Sequence, residues 1–285
     1  MRKFLNRVIS FTGVIFCTYF VVYNVILYSL ENQLSNSKNI ILGDSQTKFL
    51  SMPNSFNYSI DGSPYFLHYE FVKRFKNIFR NKNIFISLNY HNFSDLYENR
   101  YRYDALFPGW AKLNIDRIND FSIFSSINPD INNELSKTRF FDVKNKLERL
   151  VDVTYSRKKT ENSSQKVLDS LIIMEDVQRH WLNSKFINED KIQHKYLIKL
   201  IQLLLENNNE ITLLKMPVTN FYFKNVPNDI KIDIDSVAHY TGLDLLNLKD
   251  SLSISNRYEL FKDYGHLNKI GDSIVIDYLS QFFNK

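Results

Sequence analysis

Four brief apolar runs, each too short for a helix, govern what this chain can become. Residues 39–42 read Asn-Ile-Ile-Leu and stop at Gly43, and residues 84–88 read Ile-Phe-Ile-Ser-Leu. Residues 211–215, Ile-Thr-Leu-Leu-Lys, end before Pro217, and residues 243–248 supply a further run. Runs apolar at consecutive positions suit strands buried on both faces. Helical patterns separate them. After Pro64, Phe66, Tyr69, Val72 and Phe79 recur near helical spacing. Residues 191–206 carry Leu197, Leu200, Ile201 and Leu204 on one side, and residues 270–283 close the chain as a helix. Short strands alternating with helices predict an α/β domain around a parallel sheet. Between about residues 93 and 168 the alternation is lost, which predicts an insertion between two strands.

The amino terminus follows a different rule. Residues 8–30 contain no charged side chain, and about 23 helical residues span a hydrocarbon core of ~30 Å. A cleavable signal has a shorter apolar core and small residues at its cut site. Here the run ends Leu27-Tyr28-Ser29-Leu30-Glu31, and Phe16 precedes Cys17 where a lipid-attachment site needs a small residue. One transmembrane signal anchor over residues 1–30 is therefore expected, followed by a polar linker at 31–38 and a domain at 39–285. Arg2, Lys3 and Arg7 place the amino terminus in the cytoplasm and the domain outside it.

Charge and cysteine content narrow the function. The formal net charge is +5, of which the three basic residues at the amino terminus supply three. The other Lys and Arg are interleaved with Asp and Glu, so a solvated mixed surface is expected and nucleic acid is not a partner. The single cysteine excludes an intramolecular disulfide and a thiolate zinc site. His68, His91, His180, His194 and His239 are scattered without a metal-binding spacing, so no metal and no cofactor are expected.

Two stretches can carry chemistry. Gly43-Asp44-Ser45 follows a strand directly, which puts Ser45 at the carboxyl edge of the sheet, where ligands bind in open α/β folds. Gly43 is expected to accept the backbone conformation of a sharp exit turn, and the Ser45 amide to serve as one oxyanion donor. A serine hydroxyl needs a base to take its proton. Asp263 and His266, three apart near the carboxyl terminus, suit a carboxylate orienting a general base. The same Gly-Asp-Ser triplet recurs at 271–273 inside the closing helix, where no role is expected.

The block Ile41-Leu42-Gly43-Asp44-Ser45, with Asp263-Tyr264-Gly265-His266-Leu267-Asn268, resembles the SGNH/GDSL hydrolases. The resemblance covers roughly residues 39–92 and 191–283. It implies a three-layer α/β/α sandwich of flavodoxin-like type, with Ser45, His266 and Asp263 as catalytic residues. It also implies oxyanion donors from two further blocks. Asn57-Tyr58-Ser59-Ile60-Asp61-Gly62-Ser63 would offer Gly62, while the third block departs from the family's Gly-x-Asn-Asp and reads Asn89-Tyr90-His91-Asn92. Either Asn89 or Asn92 would supply that donor.

The expectation is a membrane-anchored, envelope-facing serine esterase or O-acyltransferase acting on acyl esters, acetyl foremost, of a glycan. The alternative is a noncatalytic polysaccharide-binding module that assists a membrane acyltransferase.

Overall fold

A computed structural model describes residues 28–94, 97, 170–182 and 192–283, with scattered positions of a helix between 11 and 25. Most of the anchor expected at 8–30 and nearly all of the insertion expected at 93–168 lie outside the described residues. Among the described residues no helix is long and apolar enough to cross a membrane.

Five strands form one parallel sheet in the order β2-β1-β3-β4-β5. They are β1 (Asn39–Gly43), β2 (Ser55–Ser59), β3 (Asn83–Ser87), β4 (Glu210–Lys215) and β5 (Asp244–Asn247). The register pairs Ile41 with Asn57 on one side and with Phe85 on the other. Across β3 and β4 it pairs Ile84 with Ile211. The four runs read from the sequence became β1, β3, β4 and β5. Ile40, Ile41 and Leu42 are each fully buried although consecutive side chains point to opposite faces, so both faces of β1 are covered. Each such side chain contributes about 2 kcal/mol by leaving water.

Helix α1 (Tyr65–Arg74) links β2 to β3, and α2 (Ser170–Val177) runs into one π-turn at Gln178–Leu182. Then α3 (Ile192–Leu205) leads into β4. Helix α1 packs along α3, with Phe66 edge-on to Tyr196 at 5.1 Å between ring centres. Helices α4 (Asn220–Asn225) and α5 (Asn228–Thr241) connect β4 to β5. Helix α6 (Leu248–Leu252) and α7 (Lys269–Phe283) complete the chain.

Within residues 31–38, expected as a polar linker, the chain is helical through residue 36, continuing a helix described from residue 28. Its polar residues bond along the helix, as in Asn36 to Asn32 at 3.1 Å, rather than loosening it. Leu34 is fully buried, and Lys82 Nζ donates to the carbonyls of Leu34 (2.9 Å), Ser35 (3.2 Å) and Ser37. A cation on the last carbonyls of a helix is favoured by their unpaired partial charge. This helix therefore joins the domain at the amino ends of β1 and β3.

Strand order reverses between β1 and β3, whose onward connections leave toward opposite edges of the sheet. Their carboxyl ends border the crevice where ligands bind in such sheets.

Candidate active site

The turn leaving β1 is shaped by contacts that only glycine at 43 permits. A Cβ there would lie 1.9 Å from Thr47 Oγ1, while the φ of Gly43 is not in the left-handed region. Space, rather than the unusual backbone conformation expected from the sequence, is what this position requires. Thr47 N–H donates to the Asp44 carbonyl at 3.2 Å, and the Asn57 amide donates to the carbonyls of Thr47 and Leu50 at 2.8 Å each. The turn thus leans on β2. Ser63 Oγ–H donates to the Gly43 carbonyl at 2.9 Å, which fixes the exit of β1 from the other side.

Ser45 emerges half-buried from this turn. Its Oγ lies 2.7 Å from His266 Nε2. His266 Nδ1 lies 2.7 Å from Asp263 Oδ2 and 2.9 Å from Oδ1. With Nδ1–H donated to the carboxylate, Nε2 is left to accept the Ser45 hydroxyl. Asp263 is fixed in turn by the N–H groups of Gly265 (3.0 Å) and His266 (2.8 Å), both on Oδ1. Asn268 Oδ1 accepts from Ile270 N–H at 3.0 Å and Gly271 N–H at 3.2 Å, capping α7 directly after the histidine.

The electrostatics follow from that geometry. Burial works against the ionised form of Asp263. The His266 hydrogen bond and charge, with the two backbone amides, outweigh burial and hold the carboxyl below its usual value. Burial likewise opposes protonation of His266, but the Asp263 hydrogen bond and charge, helped by Asp44, raise it above the ordinary histidine value. Lys262 pulls the other way.

Asp44 has a separate set of partners. It is 1% exposed, and its Oδ2 receives His91 Nε2 and Asn92 Nδ2 at 2.9 Å each. Asn89 Nδ2 approaches the same oxygen at 3.3 Å, and Oδ1 accepts from Gln46 N–H at 2.9 Å. Burial disfavours the carboxylate, but the charge of His91 and these hydrogen bonds overcome that and keep Asp44 ionised well below the usual range. The loop after β3 thereby holds the residue that precedes Ser45.

The structure brings Ser45, Asp263 and His266 together across more than two hundred positions of sequence. It brings Asn89 and Asn92 to Asp44. Asn89 Nδ2 is also bonded to Ser87 Oγ at 2.7 Å, and its Oδ1 accepts from Met216 N–H. Gly62 sits with φ +67, in the left-handed region that suits glycine, beside Asp61, which pairs with Lys48 at 2.8 Å. Among the described residues the N–H groups of Ser45 and Gly62 donate to no backbone acceptor.

A cavity of about 310 Å³ opens beside the serine, lined by Ser45, Lys48, Phe49, Lys262, His266 and Asp272, with Gln46 and Leu267. That volume is at the small end of ligand sites, which suits a short acyl group. Sequence reasoning missed Lys48, Phe49, Lys262 and Asp272, because nothing local marks them. Asp272 belongs to the second Gly-Asp-Ser triplet, for which no role was expected. Among the described residues no group of three or more His, Cys, Asp or Glu side chains is placed to hold a metal.

Comparison of the chain with protein-family models gives no match, and comparison with curated proteins gives none either.

Proposed function

We propose that this chain is a serine esterase or O-acyltransferase of SGNH type, anchored in the cell membrane through residues 8–30 and facing the envelope. Its substrate is an acyl ester, acetyl foremost, on an envelope glycan. The observation that carries this reading is the unbroken path from Ser45 Oγ through His266 to Asp263, each link 2.7 Å long. The resemblance of residues 41–45 and 263–268 to SGNH/GDSL blocks supports it. So does strand order 2-1-3-4-5, which occurs in doubly wound sheets, and we assign the helices to two layers flanking the sheet on that basis.

In the proposed reaction His266 takes the Ser45 proton as the oxygen attacks the acyl carbonyl. Asp263 holds the histidine tautomer and stabilises the imidazolium. The Ser45 and Gly62 amides face the developing oxyanion. The alkoxide leaving group takes the proton back from His266. Water or a glycan hydroxyl then attacks the acyl-serine, with His266 again serving as base. Hydrolysis and transfer differ only in that second acceptor.

One observation favours the alternative, a glycan-binding module serving a membrane acyltransferase. The Asn89 and Asn92 amides, either of which the resemblance offers to the oxyanion, both donate to Asp44.

Turnover of p-nitrophenyl acetate separates the two. The enzyme reading expects activity that Ser45→Ala abolishes, with the double variant Ser45→Ala/His266→Ala little worse than either single one. Equal rates in wild type and Ser45→Ala would support the binding module.

A further inference from the structure

The cavity beside Ser45 borders the serine and His266, but it is lined by none of Gly62, Asn89 and Asn92, the residues offered to the oxyanion. An acyl group on Ser45 turns its carbonyl oxygen toward the oxyanion donors. The alcohol leaves or arrives on the side of the imidazole that carries its proton. The cavity is therefore on the alcohol's side of the reaction. At about 310 Å³ it also exceeds what an acetyl group needs, which leaves room for the alcohol that gives or receives it.

Two polar side chains on its wall have hydrogen-bonding capacity that the protein does not use. Gln46 is 1% exposed, and neither its Nε2 nor its Oε1 has a partner. Its place is fixed all the same. Its N–H donates to Asp44 Oδ1 at 2.9 Å, and its carboxamide lies against Gly265 of the relay loop, where a Cβ would stand 2.0 Å from Nε2. Asp272, in the first turn of α7, has its Oδ1 shielded from solvent and likewise unpaired. Burial raises its carboxyl, while Lys262 and His266 draw it down. Lys262 and Asp272 line the same cavity and offset one another, so it suits a neutral, hydroxyl-rich occupant rather than an ion. Buried polar groups are almost always paired, so an unpaired carboxamide and carboxyl oxygen on one wall point to a bound partner.

We propose that Gln46 and Asp272 form an acceptor site for a vicinal diol, the arrangement of a sugar ring, and so commit the acyl-serine to transfer rather than hydrolysis. This rests on the esterase reading of Ser45 and decides which acceptor it uses. One hydroxyl of the diol faces His266, and its neighbour is held by the Asp272 carboxyl and the Gln46 carboxamide. The first hydroxyl's oxygen attacks the acyl carbonyl as His266 Nε2 takes its proton. The bond from the carbonyl carbon to Ser45 Oγ then breaks, and His266 returns the proton to Oγ. Water reaches the same place but has no second hydroxyl for the two groups to hold, so only the diol is fixed in an attacking position. Phe49 and Leu267 supply an apolar wall for the ring.

The test uses the full chain in detergent with p-nitrophenyl acetate as donor, and methyl glucoside or cyclohexanol as acceptor at equal concentration. Free acetate and O-acetylated acceptor are quantified together. Their ratio is set after the acyl-serine has formed, so effects on its formation cancel. Transfer relative to hydrolysis should be about tenfold higher with methyl glucoside than with cyclohexanol. Gln46→Met and Asp272→Ala should each bring the two acceptors within about twofold. Gln46→Met should also melt no lower than wild type, since it removes a group with no partner in the protein. A glutamine that only braced the relay loop would lose stability on substitution and leave the ratio alone. Acetate as the only product, equal ratios for the two acceptors, or ratios unmoved by both variants would overturn the acceptor site and leave the esterase reading standing. No Ser45-dependent release of p-nitrophenol would overturn the esterase reading and this site with it.

Discussion

The carboxylate of Asp44 and the imidazole Nε2 of His91 meet at 2.9 Å with both side chains sealed from solvent. The contact ties the loop after β3 to the residue preceding Ser45, across the crevice between β1 and β3. A buried pair of this kind adds little relative to apolar packing. Removing one partner, however, leaves an uncompensated charge and typically costs about 3–5 kcal/mol.

His91→Ala should therefore destabilise the protein by roughly 3 kcal/mol. Urea unfolding of the variant should show a lower midpoint with an unchanged slope. A change under about 1 kcal/mol would mean that Asn89, Asn92 and the Gln46 amide suffice to hold Asp44.

His68 provides an acid-sensitive contact elsewhere in the core. It is fully buried, and because Ser63 Oγ–H is donated to Gly43, His68 Nε2–H donates to Ser63 Oγ at 3.1 Å. Burial pushes its pKa down to about 4 from 6.5. The folded state thus binds the proton less readily than the unfolded chain. The neutral ring's stability contribution is present above pH 6.5 and is lost as pH falls toward 4, on the order of 3 kcal/mol in total. Urea midpoints measured between pH 7 and pH 4 should fall steeply in the wild type and less steeply in His68→Gln. Parallel curves would contradict the assignment.

Much of this architecture was legible in the sequence, for a physical reason. Ile40 to Leu42 and Ile84 to Ile86 lie in the middle of the sheet, where both faces need apolar side chains, so burial is written into consecutive residues. Strand β2, Ser-Phe-Asn-Tyr-Ser, lies at the edge and is only partly buried, so it carried no such signal. Helix α5 was hidden by Ile230, Ile232 and Ile234, whose period of two imitates a strand. In the helix Ile234 is fully buried while Ile232 is 64% exposed. At the site, Asp263 and His266 were readable because they are three apart and close within one tight loop. The Asp44–His91 pair joins two loops 47 positions apart, and only the parallel pairing of β1 with β3 brings them together.

Gly43→Ala should damage the serine turn without touching the Ser45, His266 or Asp263 side chains. The new Cβ would overlap Thr47 Oγ1 and press on Ser59 Oγ at 3.0 Å, so the turn must move. A stability loss of about 1–3 kcal/mol is expected, with a larger proportional loss of esterase rate. Thermal melts alongside acetyl-ester turnover would check both. Unchanged melting would show that the turn has room to adjust.

The pH dependence of kcat/KM should report His266. The base is active only when unprotonated, and Asp263 together with Asp44 raises its pKa above 6.5. Activity should accordingly rise with pH, with its midpoint above 6.5. Asp263→Asn removes the main influence raising it. The midpoint should then move to lower pH while the plateau falls on the order of 10³-fold or more. A midpoint that stays in place in Asp263→Asn would detach the carboxylate from the relay.

Intact-mass analysis after treatment with a fluorophosphonate tests most directly whether Ser45 is an activated nucleophile. The full chain should gain one adduct, and peptide mapping should place it on Ser45, with no adduct in Ser45→Ala and strongly slowed labelling in His266→Ala. A wild-type chain that stays unlabelled while folded, or an adduct that persists in Ser45→Ala, would contradict the account.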